Sequence, residues 1–310
     1  MRVIVFGATG VQGRAQVIAL IKAGHHPVAV SRSASTFTVD VNGKSTEVET
    51  AVSSFDDKEA LEKALKDADG IFLNLPSTSF QPAEYVLSAA RNIGLAAKQC
   101  SKLPLIVFNT SMPVPGETKH IEAQDHRREL RDLLRNELDL PVISMQPVVF
   151  IDNLLEGWAW PPIRDRNTIV YCHYPELDVS WICHDDIASC MIGALNHPEL
   201  AGRNFPIGGP ETVRLPQLAE RLSRAWNREM KYEFQTVRDF CDKIGAAMKD
   251  RSGIDAEVLK EQMFRAYTWY NEAPEQPFKV DMIPVLKELG MQPDSLTTIE
   301  DWGRTHNPFK

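Results

Sequence analysis

Short apolar runs alternate with longer amphipathic stretches through the first half of the chain. Val3-Ile4-Val5-Phe6 is continuous, apolar and rich in β-branched residues, the pattern of a strand covered on both faces, as in a parallel sheet. A helix is expected over 11–23, closed by Gly24 just past its end. Further strands are expected at 26–31, 47–52, 70–75, 105–109 and 142–147, with helices at 57–66, 83–99 and 124–136. Asn42-Gly43 marks a polar, hairpin-like stretch before the third strand.

Strands alternating with helices predict an α/β fold with a doubly wound parallel sheet and right-handed crossovers. From about Ile151 the pattern loosens, and proline, tryptophan and histidine become frequent. Helices are expected at 217–227, 237–249, 255–270 and 285–290, with few strands between them. Residues 1–150 are therefore expected to form the sheet domain. Residues 151–310 are expected to form a smaller, mostly helical part that binds substrate or partner, with one or two strands returning to the sheet.

Composition changes little in this picture. The chain has 310 residues, 43% of them hydrophobic and 25% charged, as expected for a folded protein. The net charge of −8 gives no overall attraction to phosphate backbones, so no direct nucleic-acid partner is expected. The longest apolar stretch, Pro141 to Leu155, is broken by Gln146 and Asp152, short of the roughly 18 residues a spanning helix needs. No membrane association and no signal peptide are expected. The five cysteines form no C-x-x-C pair, which suits reduced thiols in the cytoplasm.

Gly7-Ala8-Thr9-Gly10-Val11-Gln12-Gly13 follows the first strand and opens the first helix. In such a loop the first glycine permits the sharp turn and the second lets the backbone approach a pyrophosphate. The third lets the helix pack on the sheet. The free N–H groups of the helix N-terminus then face the phosphates. The end of the second strand selects the dinucleotide, because an NAD site places an acid there for the ribose 2′-hydroxyl. Ser31-Arg32-Ser33 offers none. Arg32, about 20 residues beyond the loop, can pair with a 2′-phosphate, and Ser31 and Ser33 can add hydrogen bonds. NADP(H) is the expected cofactor.

The loop and Ser31-Arg32 resemble the NmrA-like family of atypical short-chain dehydrogenases/reductases. Pro147-x-x-Phe150-x-x-Asn153-Leu154, His184-Asp185-Asp186-Ile187-Ala188 and Phe205-Pro206-Ile207-Gly208-Gly209 resemble it too. The resemblance covers about residues 1–235 and implies a Rossmann domain that usually binds NADP(H). It implies that Gly7, Thr9, Gly10, Val11, Gln12, Gly13 and Arg32 meet the phosphates and ribose. Phe55, Asn74, Leu75 and Pro76 would flank adenine and ribose. Thr110, Ser111, Pro147, Phe150 and Asn153 would approach the nicotinamide end.

The usual Tyr-x-x-x-Lys pair of active short-chain reductases is missing. Between Asn109 and Pro141 there is no tyrosine, and Lys119 is the single lysine. The family's lysine position falls on Arg128, which stays protonated but can hold a ribose or an oxyanion. His120, His126 and Lys119 are the remaining candidates for a proton donor. His120 is favoured because it follows the loop Pro113–Gly116 and titrates near neutrality. Ser111 stands where a substrate-polarising hydroxyl is expected.

Cys172-His173 and Cys183-His184 match no zinc spacing, so no metal is expected. Trp158, Trp160 and Trp181 either line an apolar substrate pocket or anchor the C-terminal part on the sheet. Two functions fit: an NADP(H)-dependent reductase of a small apolar carbonyl or activated alkene, and a redox sensor that regulates a partner protein. A monomer or a homodimer fits either.

Because Arg32 replaces the acid, NADPH should bind about ten- to a hundredfold more tightly than NADH, as one charge-assisted pair allows. Calorimetric titration of wild type and Arg32→Ala should show this preference and then its loss. Equal wild-type affinities would refute it.

Overall fold

The computed structural model describes residues 1–33, 35–248 and 255–310. Its first half runs β1 (Arg2–Val5), α1 (Val11–Lys22), β2 (His26–Ser31), β3 (Phe37–Val41), β4 (Lys44–Val52), α2 (Lys58–Leu65), β5 (Gly70–Asn74), α3 (Ala83–Lys98), β6 (Leu105–Asn109), α4 (Glu122–Asp132) and β7 (Val142–Pro147). The second half runs α5 (Trp160–Arg166), β8 (Thr168–Tyr171), α6 (His184–Asn196), β9 (Asn204–Ile207), α7 (Leu215–Trp226), β10 (Lys231–Phe234), α8 (Val237–Met248), α9 (Ala256–Glu272), α10 (Met282–Glu288) and α11 (Ile299–Thr305).

Eight strands form one sheet in the order β3-β4-β2-β1-β5-β6-β7-β9, parallel except where β3 meets β4. The apolar runs are buried on both faces, with period two. Val3 and Val5 enter the core beneath α1 and α6, whereas Ile4 and Phe6 enter the core beneath α2 and α3. Phe72 and Val107 take the first side, and Ile71, Leu73, Ile106 and Phe108 the second.

Several expected boundaries shift. The third expected strand, 47–52, begins at Lys44 and pairs with an unforeseen edge strand, β3. Asn42 and Gly43 both have positive φ (55° and 79°) and make a two-residue hairpin turn. The sequence hid β3 because only its alternate residues Phe37 and Val39 are buried. Helix α4 starts at Glu122, so His126 lies within it, and Leu133–Glu137 forms a π-turn where one continuous helix was expected. The expected end of α8 at Lys249 lies outside the described residues.

The two parts interlock. Strand β9, from the second half, pairs with β7 and completes the sheet, while β8 and β10 form a separate parallel pair. Asp186 on α6 accepts hydrogen bonds from the backbone N–H and hydroxyl of Thr297, both at 2.9 Å. Asp152 accepts from the backbone N–H of His184 (3.0 Å) and from the Trp302 indole (3.3 Å). Trp302 is 1% exposed and stacks on His306.

Trp302 is thus the wedge that fixes the last helix to the rest of the chain. Trp302→Ala should lower stability by about 3–5 kcal/mol, the usual cost of a large core truncation. Urea unfolding followed by circular dichroism checks this; a loss below 1 kcal/mol, ~ the level of a surface change, would show that α11 is not an integral part of the core.

Candidate functional site

The C-terminal ends of the parallel strands lie on one edge, and the loops that leave them carry nearly all the expected cofactor residues. The chain turns out of β1 at Gly7, whose φ of +71° favours glycine. A Cβ on Gly7 would lie 3.1 Å from the Cβ and carbonyl oxygen of Asn74. A Cβ on Gly13 would lie 2.2 Å from the Gly7 carbonyl oxygen and 2.7 Å from the Ala8 Cα. Gly10 differs: its Cβ would meet only the Gly7 carbonyl oxygen, at 3.4 Å. The first and third glycines are demanded by the fold itself, whereas the second leaves open space.

Gly10 is the N-cap of α1, with no side-chain cap and no acid in the first turn. The orphan N–H groups there are available to an anion, and the helix dipole favours one. Thr9, Gly10 and Val11 are exposed.

A buried amide cluster holds this loop to its neighbours. Asn74 and Gln16 exchange two hydrogen bonds, of 2.7 and 2.9 Å, and Asn74 Nδ2 also donates to the Phe6 carbonyl at 2.8 Å. Asn109 Nδ2 donates to Gln12 Oε1 (2.6 Å) and Asn74 Oδ1 (2.9 Å). The backbone N–H of Ser111 donates to Asn109 Oδ1 at 3.0 Å, and its hydroxyl to Gln12 Oε1 at 3.4 Å. Gln12, Asn74 and Ser111, far apart in sequence, are brought together. Gln16 and Asn109 were missed as members. Each is a polar residue at a fully buried position, and only tertiary pairing gives that away.

The other expected positions fall around this edge. Ser31 is half-buried, and Arg32 and Ser33 are exposed, at the end of β2. Phe55 sits between Phe6 and Tyr85, with ring centroids 6.3 and 6.1 Å away. Leu75 is buried, Pro76 is half-buried, and the Leu75 carbonyl accepts from Arg127. Burial draws the Arg127 guanidinium down to about 10. The Thr110 hydroxyl lies within donating reach of the carbonyls of Met112 (2.6 Å) and Met145 (3.1 Å), and its one proton is thereby engaged. Pro147 ends β7 and is buried.

Beyond Ser111 a cavity of about 390 Å³ opens between the sheet edge and the second half of the chain. Ser111, Phe150, Asn153 and Trp158 line it, and no described lining residue carries a formal charge. Trp160 instead packs on Phe309, and Trp181 on Tyr171, so one tryptophan lines the cavity and two anchor. Met263, Ala266, Tyr267 and Tyr270 of α9 line it at helical spacing. That stripe lay within an expected helix, and none of its residues was singled out from the sequence. Burial pushes both phenols' pKa values up, so they remain O–H donors. Gln124 of α4 donates to the Tyr270 oxygen.

Two expected catalytic groups stand away from this cavity. His120 is exposed, with a φ of 56°, and its carbonyl accepts from Arg265. Arg128 is engaged with Asp125 (3.0 Å) and the Thr118 hydroxyl (2.8 Å), tying down the loop before α4. Lys119 pairs with Glu117 and Glu275, and the His126 ring meets the Thr78 hydroxyl. Among the described residues no three His, Cys, Asp or Glu side chains cluster as a metal site, and no helix is long and apolar enough to cross a membrane.

Comparison with known proteins agrees with this fold. A reductase of (4-alkanoyl-5-oxo-2,5-dihydrofuran-3-yl)methyl phosphate from Streptomyces griseus is 26% identical over 305 residues, 98% of this chain and 97% of that protein. An NADPH-dependent quinone oxidoreductase of Escherichia coli, solved with NADPH, superposes with a TM-score of 0.70 at 16% identity, covering 98% of this chain and 99% of that one. The negative transcriptional regulator NmrA, solved with NADP, superposes with a TM-score of 0.72 at 16% identity, covering 99% and 95% of the two chains. The model of the NmrA-like family matches residues 1–302, and the chain belongs to that family.

Proposed function

We propose that the protein is an NADP(H)-dependent reductase of small, uncharged, apolar carbonyl compounds or activated alkenes. The observation that carries this reading is the apolar cavity beside Ser111, which shares that residue with the amide cluster beneath the glycine loop. The loop suits a dinucleotide: an uncapped helix N-terminus, no acid in the first turn, and unfilled space at Gly10. In this reading Gly7, Thr9, Gly10, Val11, Gln12 and Gly13 hold the pyrophosphate, and Arg32, Ser31 and Ser33 hold the 2′-phosphate. Phe55, Asn74, Leu75 and Pro76 flank adenine and ribose, and Thr110, Pro147, Phe150 and Asn153 flank the nicotinamide. Bound there, NADPH supplies a hydride. The Ser111 hydroxyl, turned away from its long 3.4 Å contact with Gln12 Oε1, would hydrogen-bond the oxygen of the acceptor. His120 and Arg128 do not line the cavity, and a role for either requires the loop before α4 to move.

The Streptomyces griseus relative is named for a phosphate ester. The present cavity offers no cationic side chain to a phosphate among its described lining residues, which favours an uncharged substrate. A second reading, an NADP(H)-responsive regulator of a partner protein, is favoured by the missing Tyr-x-x-x-Lys pair and by the likeness to NmrA.

An NADPH-oxidation screen over quinones, aldehydes and enones, each beside a phosphorylated counterpart, separates these readings. Turnover is expected with at least one neutral member and none of the phosphorylated ones. Ser111→Ala should lower kcat by about 10²-fold, as loss of a polarising donor does, with His120→Ala near wild type. Silence across the panel would favour the regulator.

The loop glycines give a separate check. Gly10→Val should keep the wild-type melting temperature and lose NADPH binding in calorimetry, because only the ligand's space is filled. Gly13→Ala should lose folding stability with no cofactor present. NADPH binding by Gly10→Val at wild-type strength would place the dinucleotide elsewhere.

A further inference from the structure

The cavity wall holds a buried imidazole with no part in the hydride chemistry proposed above. His173, just after β8, is fully buried. Its Nδ1 lies 3.3 Å from Asn271 Oδ1. The Asn271 amide is fixed by the backbone: its Nδ2 donates to the Cys172 carbonyl at 2.8 Å, and its Oδ1 accepts from the Tyr174 N–H at 3.2 Å. An oxygen therefore faces the imidazole, so Nδ1 carries the proton and Nε2 keeps a bare lone pair. Burial draws the ring down to about 3, which keeps it neutral at any working pH. The ring stacks on Tyr267 (5.6 Å, 25°) and lies edge-on to Phe278 (5.0 Å). Its Nε2 has no hydrogen-bond partner among the described residues.

A second buried atom on the cavity wall, Gln124 Oε1, is likewise without a partner. That amide can present either its oxygen or its nitrogen. His173 cannot: its tautomer is set by the backbone through Asn271. A lone pair buried in this way has no water to lose in the free protein, so a ligand that brings it a donor gains a bond that a ligand without one does not. The neighbouring aromatic rings favour a flat frame.

We infer that His173 is a specificity-determining residue, through which the cavity selects uncharged, flat ligands that present an O–H or N–H donor to Nε2. This rests on the cavity being the substrate site proposed above. It adds to that reading a polar group that the substrate must carry besides its reducible centre.

The test uses two probes that carry no carbonyl, so its outcome is independent of turnover. Isothermal titration of the full chain should show 2-naphthol binding about tenfold more tightly than 2-methoxynaphthalene, the cost of an unmade buried hydrogen bond. In His173→Phe the preference should fall below about threefold. Wild-type protein labelled with ¹⁵N-histidine gives a readout that needs no variant. The His173 spectrum should show a protonated Nδ1 and a bare Nε2, whose resonance moves upfield on adding 2-naphthol and stays in place with the methyl ether. Equal affinities for the two probes, a preference that survives His173→Phe in a folded variant, or an Nε2 resonance indifferent to 2-naphthol would overturn the inference. NADPH oxidation with neutral carbonyls alongside equal probe affinities would leave the reductase reading standing and remove only this one.

Discussion

The contact of the first turn of α1 with the loop leaving β1 governs the rest of the structure. Gly13 lies so close to the Gly7 carbonyl that no side chain fits between them. This close approach brings Gln12 and Gln16 over the ends of β5 and β6, where Asn74 and Asn109 meet them. The result is a set of paired amides, Gln16 and Asn109 buried and Gln12 and Asn74 half-buried, at the switch point of the sheet, where strand order runs outward from β1 in both directions. Such a cluster tolerates little change, because each buried amide left without a partner costs free energy. It also leaves the N-terminus of α1 uncapped and facing outward.

The second half of the chain acts on this edge from above. Strand β9 extends the sheet, and α6 packs beside α1 on the same face. Two carboxylates, Asp152 and Asp186, bind α6 to the segment that leads into α11. With that frame in place, α8 and α9 close a cavity whose floor is the loops after β5, β6 and β7. Its walls are mostly apolar and aromatic, and the polar groups among them are uncharged. On the reductase reading proposed above, such a site would suit transfer to a neutral, poorly solvated acceptor, where water is displaced and orientation decides the rate.

The sheet and the glycine loop were legible in the sequence because each rests on local rules. Val3 to Phe6 could be read as a doubly covered strand, and the spacing of Gly7, Gly10 and Gly13 carried its own steric reasons. Strand β3 was not legible, since only alternate residues of an edge strand are buried. The cavity was legible only in part. Ser111, Phe150, Asn153 and Trp158 stood out by position or type. Tyr267 and Tyr270 lay unremarked in an expected helix, and His173 was one half of a Cys-His pair that matched no zinc spacing. Their placement depends on contacts between segments about a hundred residues apart, as in the bond from Asn271 to Cys172, and no local pattern encodes those contacts. His120 shows the converse: its chemistry suited a proton donor, but its exposed backbone turn keeps it off the cavity wall.

In the function proposed above, the glycine loop and the apolar cavity serve one ligand-binding unit that meets near Ser111. Met112 and Met263 both line the cavity, so their methyl groups report on it directly. In protein labelled with ¹³C-methyl methionine and saturated with NADP⁺, nuclear Overhauser contacts should link the nicotinamide H4 proton to the Met112 methyl group. Saturable binding with no contact from any nicotinamide proton to Met112 or Met263 would separate the cofactor from the cavity and contradict the account.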